Sequence, residues 1–140
     1  MSGLLLDTNA FIRIVLGMPM KEEAQRSIVL AVVSGNLWVS AVSAWEIGML
    51  TTSTRTGRQL QVTGDPVTWF EAGRAKIRVQ ALPLATEEAL RAAFLPEPFH
   101  KDPADRLLVA QARAHDLTVV TRDRAILDYA ALGHVRAIAC

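Results

Sequence analysis

Cysteine is nearly absent from this sequence. Its one example, Cys140, occupies the last of 140 positions, so neither an internal disulfide nor a cysteine-based metal cluster can form. Aromatic residues make up 6% of the chain against a hydrophobic share of 51%, which leaves the core to Leu, Val, Ile and Ala, as suits helices packed on a small sheet. Excess charge is missing too. A net charge of +1 excludes attraction of nucleic acid by the overall field, and any such partner has to be held by a local patch. Lysine is scarce: three of the fifteen basic residues are Lys and twelve are Arg, the residue suited to forked contacts with phosphate or carboxylate. The longest apolar run, Ile28 to Val33, falls far short of the roughly 20 residues a bilayer span requires. Met1-Ser2-Gly3 lacks the basic start of a signal peptide. These absences predict a soluble cytoplasmic protein with no membrane contact. The length predicts one domain, 1–140, able to bury roughly two-thirds of its unfolded surface.

What is present begins with Leu4-Leu5-Leu6-Asp7-Thr8-Asn9. A short apolar run entering an acid, a hydroxyl and an amide, followed by Ala10-Phe11-Ile12, predicts a central strand and then a helix start. Asp7 then sits at the strand's carboxyl end, where open α/β sheets bind ligands. It would equally serve as a plain helix cap. Helices are expected from Ala10 to Leu16 and from Met20 to Ser34, with Ala24, Ile28, Ala31 and Val32 facing the core. Leu37-Trp38-Val39 predicts a second strand ending at Ser40, and a helix from Ser43 to Leu50 carries Glu46. The stretch from Thr51 to Gly64 is rich in hydroxyls and holds Arg55 and Arg58, and it reads as a loop or frayed helix end near the site mouth, or as an exposed connector. Asp65-Pro66 opens a further helix, Val79 to Leu84 is a short inner strand, and Thr86 starts a helix closed by Pro96-Glu97-Pro98.

His100-Lys101-Asp102-Pro103-Ala104-Asp105-Arg106 then leads a helix that is almost wholly apolar from Leu107 to Ala114. Asp102 as cap and Pro103 at the first helical position obey local rules, while Asp105 shares the inward face of Leu108, Val109 and Ala112. Leu117 to Val120 is a strand running into Thr121-Arg122-Asp123, with a helix from Arg124 to Leu132 and an edge strand from Val135 to Ala139.

Three strands thus deliver polar residues at their carboxyl ends, which a parallel sheet gathers on one side. Asp7, Glu46, Asp105 and Asp123 are expected in one pocket, where like charges either raise their pKa values or attract a cation. Oxygen donors without cysteine favour Mg²⁺ or Mn²⁺ over zinc. Such an ion would polarise a phosphoryl oxygen for hydrolysis. Thr8, Asn9, Ser40 and Thr121 would support the ligands, and Lys101, Arg106, Arg122 and Arg124 would hold a nucleic-acid backbone. Each acid also has a purely structural reading: Glu46 in a capping box with Ser43, Asp102 as a cap, Asp123 as a turn residue or a partner of Arg122 or Arg124. His100 reads as a loop histidine or an outer contact of the site. Trp38, Trp45 and Trp69 read as core packing.

The motifs Leu-Leu-Asp-Thr-Asn-Ala, Val-Ser-Ala-Val-Ser-Ala-Trp-Glu-Ile, His-Lys-Asp-Pro-Ala-Asp-Arg-Leu-Leu-Val-Ala-Gln-Ala and Val-Val-Thr-Arg-Asp together resemble the PIN-domain family, in its branch of VapC-like toxins from type II toxin-antitoxin systems. The resemblance covers essentially the whole chain. It implies a three-layer α/β/α fold with a mostly parallel sheet of about four to five strands and six to seven helices. It further implies a metal-dependent endoribonuclease holding Mg²⁺ or Mn²⁺ on Asp7, Glu46, Asp105 and Asp123, supported by Thr8, Asn9 and Thr121 and assisted by Asp102 and Arg106. An RNA substrate, a homodimer and a cognate antitoxin complete what the likeness implies; with RNA as the substrate, Arg55 and Arg58 of the Thr51 to Gly64 stretch are expected to contact its phosphates. An aspartyl-phosphate phosphatase would need an acid where Asn9 stands, and a receiver domain would need a lysine that Val135 to Cys140 lacks. The non-enzymatic alternative is an RNA- or protein-binding module that keeps the acidic fold without turnover.

Overall fold

The computed structural model describes residues 3–53, 57 and 59–140. Leu4–Leu6 form strand β1, and its three leucines are buried on both sides, as a strand covered by helices on both faces requires. The chain continues through α1 (Thr8–Val15), α2 (Glu22–Val33), β2 (Leu37–Ser40), α3 (Ala41–Thr52), α4 (Pro66–Ile77), β3 (Gln80–Leu82) and α5 (Thr86–Arg91). A 3₁₀ turn over Ala92–Phe94, α6 (Pro103–His115), β4 (Thr118–Thr121), α7 (Arg124–Ala131) and β5 (Arg136–Ala139) complete it. The strands lie in the order β3-β2-β1-β4-β5, and every neighbouring pair is parallel. The expected α/β architecture is therefore present, with five strands and seven α-helices among the described residues. None of the described helices is long and apolar enough to cross a membrane.

Strand order decides where a site can form. From β1 the chain moves outward through β2 to β3, then returns across the sheet to place β4 on the other flank of β1. The direction of winding reverses between β1 and β4, and the crevice at the carboxyl ends of those two strands is where such sheets bind ligands. Pleating sorts the side chains into two cores. Leu4, Leu6, Leu37, Val39 and Val120 face α1, α2 and α4, whereas Leu5 and Val119 face Leu108, Val109 and Ala112 of α6 and Ile126 and Tyr129 of α7. With few aromatics available, those present carry large packing roles. Phe11 meets Phe70 at a ring distance of 5.0 Å and Trp69 at 6.3 Å, which fastens α1 to α4. Tyr129 stacks on Phe99 at 4.3 Å and donates its hydroxyl proton to the Pro96 carbonyl at 2.6 Å.

Three sequence expectations need correction. The segment from Val79 to Leu84, read as an inner strand, forms β3 only over Gln80–Leu82 and lies at the edge of the sheet. α3 starts at Ala41 and not at Ser43, because Ser40 is the cap and its hydroxyl accepts the Val42 amide. The Ser43–Glu46 capping box therefore does not form: Ser43 lies inside the helix, past the point where a cap can act. Trp45 is 59% exposed, not a core residue. It shares its stripe with exposed Met49 at a spacing of four, while Val42, Ser43 and Ile47 occupy the buried side. Trp38 and Trp69 do pack against the core.

Phe11 is 0% exposed and Val33 is 80% exposed. Truncation of Phe11 to alanine is expected to cost about 3–5 kcal/mol, and truncation of Val33 to stay within about 0.5 kcal/mol. Urea unfolding of the two variants checks this, and equal losses would contradict the α1–α4 seam.

Candidate functional site

The site begins with the chain geometry around Asp7. A strand that ends and turns at once into a helix leaves the first helical amides without partners, and Asp7 meets one of them: its Oδ1 accepts the Ala10 amide at 2.7 Å. The other oxygen, Oδ2, accepts the Thr121 hydroxyl proton at 2.5 Å. Thr121 ends β4, so this bond ties the two strands across the point where the winding reverses. The Thr121 hydroxyl oxygen also accepts the Asp123 amide at 2.9 Å, and Asp123 in turn caps α7, its Oδ1 accepting the Ala125 amide at 2.8 Å. One threonine thereby positions two acids.

Glu46 comes from the second turn of α3 and meets Thr8 at the start of α1. Thr8 Oγ1 lies 2.5 Å from Glu46 Oε1 and 3.0 Å from Ser43 Oγ. A hydroxyl has one proton to give, so Thr8 gives its proton to the carboxylate and accepts the one on Ser43. Ser43, buried beneath this contact, is a supporting residue that sequence reading assigned to helix capping. Asp102 caps α6 by accepting the Asp105 amide at 3.1 Å. Asp105, one turn later, faces the same cleft, with His100 Nε2 at 2.9 Å from its Oδ2. Side-chain atoms of His100, Asp105 and Asp123 all lie within 4.8 Å of one another.

Asp7, Thr8, Asn9, Glu46, Asp102, Asp105 and Asp123 therefore line one cleft of about 440 Å³, together with the apolar Ile12, Leu50 and Leu108. A larger hollow of about 570 Å³ lies elsewhere, between α5 and α6. Chemistry and not size distinguishes the acidic cleft. Burial raises the Asp7 carboxyl to about 6, opposed by the bonds from Thr121 and Ala10 and assisted by the charges of Asp123 and Glu46. Burial also leads at Asp105, followed by its side-chain hydrogen bond with Asp123 and the charges of Asp123, Asp102 and Glu46, and raises it to about 8. Two carboxyls can hydrogen-bond only when a proton lies between them. Glu46 is raised by burial and by Asp102, against the lowering effect of Thr8.

The remaining candidates fall into three groups. Arg122 lines the cleft and Lys101 is exposed beside α6. Arg124 pairs with Asp128 at 3.3 Å, and Arg106 is turned away from the cleft, donating to the carbonyls of Ala92 at 2.9 Å and His100 at 3.1 Å. Ser40 does not reach the cleft, since its hydroxyl is buried against Gln111. Arg55 and Arg58 lie outside the described residues.

The family model described as PIN domain matches residues 4–132. No curated protein matches the sequence. Among solved structures the chain is similar to VapBC2 from Rickettsia felis bound to a DNA fragment from its promoter, with 13% identity over 98% of each chain and a TM-score of 0.67. It is similar to FitAB bound to the IR36 DNA fragment, with 21% identity, coverage of 97% of this chain and 94% of that one, and a TM-score of 0.57. A toxin-antitoxin complex from Klebsiella pneumoniae shares 18% identity over 89% of this chain and 90% of the other, also with a TM-score of 0.57. Likeness at these identities establishes the fold and leaves activity to the site. Because the matched model runs from β1 through α7 and includes every acid of the cleft, the chain belongs to the PIN domain family.

Proposed function

We propose that this chain is a metal-dependent endoribonuclease toxin of the VapC type, acting in the cytoplasm as a homodimer and held inactive by a cognate antitoxin. The observation that carries the reading is the meeting of Asp7, Glu46, Asp102, Asp105 and Asp123 in one cleft. Crowding and burial raise the Asp7 carboxyl to about 6 and that of Asp105 to about 8, so Asp105 keeps its proton at neutral pH, a state that a divalent cation relieves. The donor set fits such an ion, being oxygen-rich and free of cysteine, which suits Mg²⁺ or Mn²⁺. Membership of a family whose members are typically nucleases supports phosphodiester chemistry, and similarity to solved toxin-antitoxin complexes supports an antitoxin partner.

Asp7, Glu46, Asp105 and Asp123 would hold the ion, with Asp102 adding charge at the rim. When bound, the ion supplies Lewis-acid polarisation of a phosphoryl oxygen and makes water a better nucleophile. The protein's own part is to hold the acids still. Thr121 keeps Asp7 aimed by its hydroxyl bond, Thr8 does so for Glu46, and His100 for Asp105. Hydrolysis adds water across a phosphorus–oxygen bond: the hydroxide oxygen joins phosphorus and the proton finishes on the departing sugar oxygen. Arg122 at the cleft edge and Lys101 nearby supply positive charge to the RNA backbone.

Three results are expected. RNA cleavage requires Mg²⁺ or Mn²⁺ and stops with EDTA, and Asp105→Asn lowers turnover by about 100-fold or more with little change in RNA affinity; cleavage that persists without metal, or that is indifferent to Asp105→Asn, contradicts the reading. Arg122→Ala weakens RNA binding and reduces its salt slope by about one, as read by a filter-binding series in increasing KCl. The third concerns stability. Folded-state carboxyl pKa values raised above their unfolded values mean that the folded form binds more protons between roughly pH 4 and pH 8, so stability falls as pH rises through that window. For Asp7, raised from 3.8 to about 6, the loss is on the order of 3 kcal/mol. The metal-free protein is therefore expected to melt lower at pH 8 than at pH 5, with a smaller drop in Asp105→Asn and recovery of the wild type on adding Mn²⁺. A metal-free melting temperature that rises from pH 5 to pH 8 by the same amount in both proteins would show that the cleft stores no such repulsion.

A further inference from the structure

The buried residues of helix α6 are apolar apart from one. Gln111 is 0% exposed among Leu108, Val109, Ala110 and Ala112, where an amide destabilises unless both of its ends are bonded. Both ends are bonded here, and the partners belong to different elements. The amide oxygen accepts the Ser40 hydroxyl proton. The amide nitrogen donates to the Pro83 carbonyl at 3.1 Å and to Glu88 Oε2 at 3.2 Å. Glu88 is itself held by the Ala85 amide at 2.9 Å and by His115.

Ser40 is the residue where β2 becomes α3. Its hydroxyl oxygen accepts the Val42 amide at 3.0 Å while its proton goes to Gln111, so one side chain fixes where α3 starts and ties that start to α6. The two helices that meet at this clamp each carry an acid of the cleft. Glu46 stands six residues beyond Ser40 on α3, and Asp105 stands six residues before Gln111 on α6, each about 9 Å along its helix axis. With arms of that length, a tilt of about 6° at the clamp moves a carboxylate by about 1 Å, enough to matter to a site that must present several oxygens at once.

We infer that Gln111 is a positioning residue for the acidic cleft, setting the separation of Glu46 and Asp105 through its hold on Ser40. The inference rests on the metal-binding reading of that cleft. Gln111 touches neither acid. It acts six residues away from each of them along its helix, and it does not line the cleft.

The test is a Mn²⁺ titration by calorimetry on the metal-free full chain, with circular dichroism and melting temperature measured on the same samples. Three variants are compared. Gln111→Met keeps length and volume but removes the amide, Ser40→Ala breaks the same bond from the other side, and Glu88→Gln disturbs the network beyond Gln111 while leaving the bond to Ser40. Loss of an outer partner of a metal site typically weakens affinity by about 10- to 100-fold. Gln111→Met and Ser40→Ala are expected to weaken Mn²⁺ binding by about tenfold, whereas Glu88→Gln lowers the melting temperature but leaves Mn²⁺ affinity within about twofold. Should Gln111→Met not fold, Gln111→Leu takes its place, because Ser40→Ala also removes the cap of α3. Unchanged Mn²⁺ affinity in a folded Gln111→Met or Ser40→Ala overturns the inference, as does an affinity loss that follows melting temperature equally across all three. Absence of Mn²⁺ binding in the wild type is a different result, and it removes the functional reading and this inference together.

Discussion

The hydrogen bond from Thr121 to Asp7 spans 114 positions of sequence, and the cleft depends on it. It closes the gap between β1 and β4, the two strands at which the winding of the sheet reverses. A carboxylate only 7% exposed would be unfavourable there unless its oxygens were occupied. Thr121 occupies one and the Ala10 amide the other. The same hydroxyl receives the Asp123 amide, so the first and last acids of the cleft are located by a single side chain.

Three of the cleft acids cap helices. Asp7, Asp102 and Asp123 each accept a backbone amide at the start of α1, α6 and α7. Capping and metal binding are therefore compatible readings of one residue: an ionised carboxylate has about four lone-pair sites, and a helix start needs only one of them. The partial positive charge of each helix start favours the ionised form, in opposition to burial and to the neighbouring acids. At Asp7 and Asp105 the opposition loses, since both carboxyls are raised. The fold holds a concentration of negative charge that is unfavourable by itself, on elements whose apolar faces supply the compensating stability.

The polar network around Gln111 has a different character. Its centre, Ser40, Gln111 and Glu88, is buried, it includes no residue that lines the cleft, and it reaches the surface at Pro83, Ala85 and His115. Its members come from the β2–α3 junction, the β3–α5 connection and the middle of α6, three places where packing alone would permit sliding. Hydrogen bonds are directional and apolar contacts are not, so this network can specify a register that leucine and valine leave free.

Much of this was legible in the sequence because its physics is local. An apolar triplet followed by Asp7, the Asp-Pro starts at Asp65 and Asp102, and the apolar body of α6 announce their elements through periodicity and capping rules that act within a few residues. The parallel arrangement followed, and with it the meeting of Asp7, Glu46, Asp105 and Asp123. What tertiary structure decided was which distant neighbour several side chains face. Trp45 faces solvent, Arg106 faces carbonyls, and Ser40 faces Gln111, 71 positions away. Such pairings depend on strand order and on how helices lean across the sheet, which sum many weak contacts between distant residues; a local pattern records that a side chain has a preferred face, but not which neighbour will occupy the space opposite it.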